Sequence, residues 1–238
     1  MKTDILAFGV HPDDVELSCS GTLIKHIELG KTVGIIDLTQ GELGTRGTAE
    51  IRMKEAAAAK KIMGVTYREN LNMADGFFLN DADHQLKIIE VIRKYQPEIV
   101  ICNAIEDRHP DHGRSSKLVS EACFYSGLTK IESFFNDKLQ HAWRPKAVYH
   151  YIQDRFIHPD FVVDVSAQAE KKREAIMAYS SQFYDPKSNE PETPISSKEF
   201  LETLYSKMSL WGRAINVKYA EGFTVERYLG VENLFDLK

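Results

Sequence analysis

Cysteine is scarce in this 238-residue chain: Cys19, Cys102 and Cys123 are an odd number at wide spacing. That excludes a disulfide framework and fits buried free thiols in a reducing compartment. Long apolar runs are missing as well. No segment approaches the roughly 18 uninterrupted apolar residues of a membrane helix. Met1-Lys2-Thr3-Asp4 runs directly into a short strand pattern, without the apolar stretch and small-residue cleavage site of a secretory signal. A soluble cytoplasmic protein is expected. Nor is there a block of like charge: 30 basic residues stand against 35 acidic ones, a formal net charge of -5. The positive stripe of a nucleic-acid binder is therefore absent, and a small-molecule substrate is the expected partner, with neither nucleic acid nor membrane.

What is present is a regular alternation of β-rich runs and helical patterns. Asp4 to Val10 reads as a buried strand and Val15 to Leu29 as a helix closed by Gly30. Lys31 to Leu38 is a second strand, followed by a Gly-rich loop from Thr39 to Gly47. A helix from about Ala49 to Met63 comes next, with Thr48 as N-cap and Gly64 as its stop. Tyr67 to Leu71 is a short strand, Asp83 to Tyr95 a helix, and Ile99 to Asn103 another buried strand. Strands near Ala147–Tyr151 and Phe161–Val165 precede helices near Ala167–Tyr179 and Ser197–Ile215. Between those helices, Phe183 to Ser196 carries three prolines and reads as a mobile loop.

Strands alternating with helices imply a mostly parallel sheet covered on both faces, an α/β Rossmann-like open sandwich. One domain over 1–238 is expected, with a core over 1–130 and a less regular half over 131–238.

Ligands of such sheets bind beyond the carboxyl ends of the strands. Two segments there concentrate histidine and carboxylate around a stiffening proline: His11-Pro12-Asp13-Asp14-Val15-Glu16, and Asp107-Arg108-His109-Pro110-Asp111-His112. Three protein ligands with an open fourth position make a catalytic zinc-type site, and His11, Asp14 and His112 supply that set with Asp13 left over. Nitrogen and oxygen donors suit Zn(II) and equally Fe(II), Mn(II) or Ni(II). Asp111 is a candidate to orient one imidazole by a hydrogen bond or to cap the next helix. The Gly-rich G-x-G-x-x-G turn of a dinucleotide site is absent, which argues against a nicotinamide cofactor.

The segments HPDDVE, TQGELGTRG, the Arg52 to Gly64 helix, HPDH, FVVDVS with KKREAIMAYSSQF, and the late KYAEGF resemble the LmbE-like or PIG-L deacetylase family over most of the chain. Within that family the pattern is most similar to the bacillithiol-pathway deacetylases of the first type, which act on N-acetylglucosaminyl-malate. The resemblance implies hydrolysis of an N-acetyl group, with His11, Asp14 and His112 on the metal and Asp13 as general base. It implies that His109 stabilises or protonates the reacting group, that Arg52 contacts substrate, and that the protein is a homo-oligomer, a hexamer or trimer. Arg46 and Arg108 are candidates to meet the two carboxylates of a malate aglycone through bidentate hydrogen bonds. Glu42 and Thr45 could bind sugar hydroxyls. Where some family members place an oxyanion-binding tyrosine, this chain has Phe200, which cannot donate a hydrogen bond. Two rival readings are a deacetylase of another N-acetylglucosamine compound, such as a chitobiose, and a metal-loaded sugar-binding protein without turnover.

Overall fold

The computed structural model describes residues 2–237. The chain runs β1 (Ile5–Gly9), α1 (Asp14–Glu28), β2 (Val33–Thr39), α2 (Ala49–Met63), β3 (Tyr67–Met73), α3 (Ala82–Tyr95), β4 (Ile99–Cys102) and α4 (Pro110–Tyr125). A small hairpin, β5 (Phe134–Phe135) and β6 (Lys138–Leu139), precedes β7 (Ala147–Tyr151), β8 (Phe161–Asp164), α5 (Ala169–Met177), α6 (Lys198–Ala214), β9 (Ala220–Val225) and a final 3-10 turn at Leu234–Asp236.

Seven strands form one sheet in the order β3-β2-β1-β4-β7-β9-β8. The first five in that order are parallel, while β9 is antiparallel to both β7 and β8. Side chains alternate across β1 and thereby divide the core. Leu6 and Phe8 join Ile36, Ile92 and Leu118 in one cluster, whereas Ile5 and Ala7 join Val15, Leu23 and Ile35 in another. Residues of α3 and α4 supply the first cluster and residues of α1 the second, so the central strands are covered on both faces, as an open α/β sandwich requires.

The two caps expected for α2 form: the Thr48 side chain accepts from the Ile51 N–H, and Gly64 takes the left-handed conformation at φ 81°. Ser197 caps α6 in the same way, accepting from the Phe200 N–H.

β9 is the strand that hydropathy does not reveal, because Glu221 and Gly222 interrupt its apolar run. The structure explains Glu221 through α1 and Gly222 through α6. Glu221 is fully buried and accepts from the N–H groups of Gly21 and Thr22 in the middle of α1, at 2.9 and 2.7 Å. Lys172 of α5, also fully buried, donates to Glu221 at 2.6 Å and to the Leu17 carbonyl at 2.7 Å. A buried ion pair is thus inserted where α1 would otherwise bond only to itself. Gly21 leaves room for it: a Cβ there would lie 2.9 Å from the Glu221 carboxylate. Gly222 faces Trp211 of α6, whose ring a Cβ would meet at 3.2 Å.

Candidate metal centre

The first strand delivers its motif in a tight turn. The Asp14 Oδ2 atom accepts from the N–H groups of Val10 and His11, at 2.9 and 3.0 Å, and from Asn103 Nδ2 at 3.0 Å. Its Oδ1 accepts from Gln153 Nε2 at 3.0 Å and lies 3.2 Å from His112 Nε2. The residue before it, Asp13, has φ 136°. A side chain in that region of backbone space stores strain on the order of 1–3 kcal/mol, held in place by the structure around it. Asp13 occupies the N-cap position of α1, yet its carboxylate makes no capping hydrogen bond. It faces the pocket instead.

One nitrogen of each ligand-type histidine is held by a carboxylate. Asp75 takes His11 Nε2 at 2.9 Å, which leaves Nδ1 turned toward Asp14 at 3.8 Å. Asp107 takes His112 Nδ1 at 2.6 Å, which leaves Nε2 toward Asp14. Carboxylates on the outer nitrogens fix ring orientation and tautomer and raise ligand basicity, the usual surroundings of a metal-binding histidine. Ligand atoms of His11, Asp14 and His112 lie within 4.8 Å of one another. A second set, His11, His109 and Asp111, meets the same distance. The first set is the better cation site. In the second, the Asp111 charge is already paired with the Arg114 guanidinium at 2.7 Å, with the Gly76 N–H at 2.9 Å besides, whereas among the described residues Asp14 has only neutral donors and the two histidines around it. His109 Nδ1 accepts from the Asp111 N–H rather than being held by a carboxylate. The donor chemistry of the first set, two imidazoles and one carboxylate with outer partners, fits a divalent transition metal.

The electrostatics separate the two adjacent aspartates. Burial pushes the Asp13 carboxyl up to about 7, with the Asp14 and Glu16 charges adding and Arg52 and His11 opposing. Burial acts in the same direction on Asp14, but the charges of His112 and His11 overcome it and hold that group ionised, well below the usual range. His112 is raised to about 10: burial opposes its charge, but Asp14 and Asp107 outweigh that cost. His109 is lowered, by burial first and then by His11 and His112.

These groups open into a cavity of about 350 Å³ lined by His11, Asp13, Asp14, His109 and His112 on one side. Arg52, in the first turns of α2, is buried there, and its guanidinium is held by the Gln182 side chain. Gly41, at φ 65°, makes space for it, since a Cβ at that position would meet Arg52 Nη1. Thr45 and Phe200 also line the cavity, and among the described residues no tyrosine does.

Two expected roles differ in the structure, those of Arg46 and Asp111. Arg46 does not line the cavity: it donates to Ser188 at 2.6 Å, faces Glu190 at 3.9 Å, and so fastens the loop between α5 and α6. Arg108 does line the cavity, half exposed and paired with Asp154 at 2.5 Å. The Asp111 carboxylate turns to Gly76 and Arg114 instead of an imidazole, and Asp107 and Asp75 orient the rings. Glu42 accepts from the N–H groups of Asp75 and Gln40, which ties it to the loop. Asp75, Asp107, Gln153 and Lys207 line the cavity and Asn103 braces Asp14, and the sequence assigned a role to none of them. Asp75, Asn103 and Gln153 follow the carboxyl ends of β3, β4 and β7, so strand-end position is the signal that could have found them.

Known proteins share this arrangement of chain and fold. The PIG-L family model, GlcNAc-PI de-N-acetylase, matches residues 6–123. A solved structure of a conserved protein of Thermus thermophilus superposes with TM-score 0.85 at 33% identity, over 97% of this chain and 98% of that one. Diacetylchitobiose deacetylase of Thermococcus kodakarensis is 28% identical over 92% of this chain and 81% of its own length. A probable N-acetyl-alpha-D-glucosaminyl L-malate deacetylase 2 of Bacillus anthracis is 25% identical over 75% and 81%. The 4-oxalmesaconate hydratase of Pseudomonas putida, 24% identical over 74% and 73%, shows that similar chains also include a hydratase.

Proposed function

The chain belongs to the PIG-L de-N-acetylase family, and from that premise we propose that it is a metal-dependent hydrolase that removes the acetyl group from an N-acetylglucosamine conjugate. The observation that carries this reading is Asp13: a buried carboxylate at strained backbone, uncapped, beside a three-ligand set and with its proton affinity near neutrality. A sugar-binding protein has no use for such a base, whereas hydrolysis needs one. The finer substrate reading is N-acetylglucosaminyl-L-malate, as in bacillithiol biosynthesis. The relative that acts on diacetylchitobiose supports the neutral disaccharide as a second reading.

His11, Asp14 and His112 would hold the cation, zinc by default, with Fe(II), Mn(II) or Ni(II) compatible with the same donors. Bound there, a divalent ion supplies Lewis-acid polarisation of the acetamide carbonyl and acidifies water. Asp13 accepts the proton of the attacking water and passes it to the departing amine. A group whose pKa lies near the working pH does both well, and positioned proton transfer of this kind contributes roughly 100- to 10,000-fold. His109 acts as a neutral donor: its Nδ1 accepts the Asp111 N–H, so the ring proton sits on Nε2, available to the charge developing on the carbonyl oxygen. Arg52 holds Asp13 partly ionised and stands ready to contact the sugar. A homo-oligomer is part of the proposal. Exposed Tyr228, Leu229, Leu234 and Phe235 near the C-terminus are apolar groups that a second copy would cover.

Acetate release from N-acetylglucosaminyl-malate and from diacetylchitobiose, by chelator-stripped and metal-reloaded protein, tests the reading. Release from at least one conjugate that depends on metal is expected. Hydration of 4-oxalmesaconate without acetate release from either would replace it with the hydratase chemistry.

A further inference from the structure

Lys207 lies on α6 and lines the same cavity as the metal ligands, its Nζ donating to the main-chain oxygen of Gln153. The Gln153 side chain in turn reaches Asp14 at 3.0 Å. The ammonium is thereby fixed on the β7 side of the cavity, against the residue that also braces Asp14. Among the described residues no carboxylate oxygen comes within 4.0 Å of it. The two acids whose fields reach it are already engaged, Asp154 by Arg108 at 2.5 Å and Asp107 by His112 at 2.6 Å.

An ammonium carries three donor hydrogens, of which Gln153 takes one. The Trp211 ring lies 5.6 Å from the ammonium and takes part of its charge, but a largely buried cation without an anionic partner is costly to the fold. Burial, with Lys172 adding and Asp154 and Asp107 opposing, lowers the Lys207 ammonium to about 8. Donors left open toward a cavity at such cost are the mark of a site that awaits an anion. Thr203 sits one helical turn earlier on the same face and lines the same wall. Of the two arginines expected to meet an aglycone carboxylate, Arg46 is committed to the α5–α6 loop, and Arg108 lines the cavity with its charge already paired with Asp154.

We propose that Lys207, with Thr203 beside it, is the specificity-determining residue that binds a carboxylate on the aglycone and gives the enzyme its preference for anionic N-acetylglucosamine conjugates. The assignment rests on the deacetylase reading above for its substrate, though not for its ligand chemistry. It also accounts for the depth of Lys207: an exposed lysine would meet the same carboxylate in water, where such a pair contributes little.

The test uses metal-loaded wild type, Lys207→Met, which keeps the aliphatic stem, and Lys207→Arg, which keeps the charge. Acetate release is measured from N-acetylglucosaminyl-malate, N-acetylglucosamine 1-phosphate and methyl N-acetylglucosaminide, and L-malate binding is measured separately by calorimetry. Lys207→Met is expected to lower the ratio of kcat/KM for the malate conjugate over the methyl glycoside about 10- to 100-fold, the loss that follows removal of a hydrogen bond to a charged group. L-malate binding weakens in parallel, and Lys207→Arg recovers much of both. A ratio unchanged by Lys207→Met, whatever the absolute loss, overturns the proposal and leaves Lys207 a positioning residue acting through Gln153. A loss confined to the 1-phosphate overturns the carboxylate assignment in favour of phosphate. If wild type releases acetate from none of the three, the deacetylase reading fails, and L-malate calorimetry still decides the role of Lys207.

Discussion

At the scale of single residues, the candidate ligand histidines are oriented by carboxylates outside the proposed ligand set. Asp107 holds His112 Nδ1 at 2.6 Å and also accepts from the Arg155 N–H at 2.7 Å, so it joins the ring to the loop after β7. Asp75 holds His11 and accepts from the Leu43 N–H at 3.0 Å, joining a proposed metal ligand to the Gly-rich loop. Asp107→Asn is predicted to weaken metal affinity about 10- to 100-fold while the fold survives, because the substitution removes the charge that orients and enriches the imidazole. Competition with a coloured chelator reads the affinity directly, and an unchanged value would remove Asp107 from the account. The candidate ligand residues were legible in the sequence because each motif sits at a strand end with its proline. Their orienting partners were not. Asp107 lies inside the second motif but looks no different there from Asp111, and only the folded turn shows which of the two reaches an imidazole.

At the scale of elements, the early strands and helices were legible because their apolar periods and caps agree, as Thr48 and Gly64 show. β9 was not legible, since its Glu221 makes sense only against Lys172 and the middle of α1, residues distant in sequence. That interaction carries its own prediction. Lys172→Met leaves the Glu221 carboxylate buried without its cation and is expected to destabilise the protein by about 3–5 kcal/mol. Adding Glu221→Leu removes the stranded charge and recovers much of the loss. Urea unfolding of wild type, single and double variants gives the cycle. A single variant as stable as wild type would mean that the pair contributes nothing to holding β9 and α5 against α1.

At the scale of the whole molecule, five parallel strands bring their carboxyl ends to one edge, and segments far apart in the chain meet there: Asp13 after β1, Arg52 beyond β2, Asp75 after β3, His112 beyond β4 and Gln153 after β7. On the proposed ligand set, metal binding would be coupled to protons across this edge. His112 is raised from 6.5 to about 10, burial being outweighed by Asp14 and Asp107. Its protonated form therefore contributes stability below about 6.5 that is lost as pH rises through about 10. A metal must displace that proton, so apparent metal affinity should rise with pH across this window, with proton release visible as buffer-dependent heat in calorimetry. Affinity independent of pH would contradict the assignment of His112 as a ligand.

The most direct test of the central claim is turnover by Asp13→Asn protein with its metal content measured on the same sample. With Asp13 as the base, the variant is expected to bind metal as wild type does and to release acetate at least about 100-fold more slowly, the lower bound for loss of a positioned base. Wild-type turnover by the fully metallated variant would contradict it.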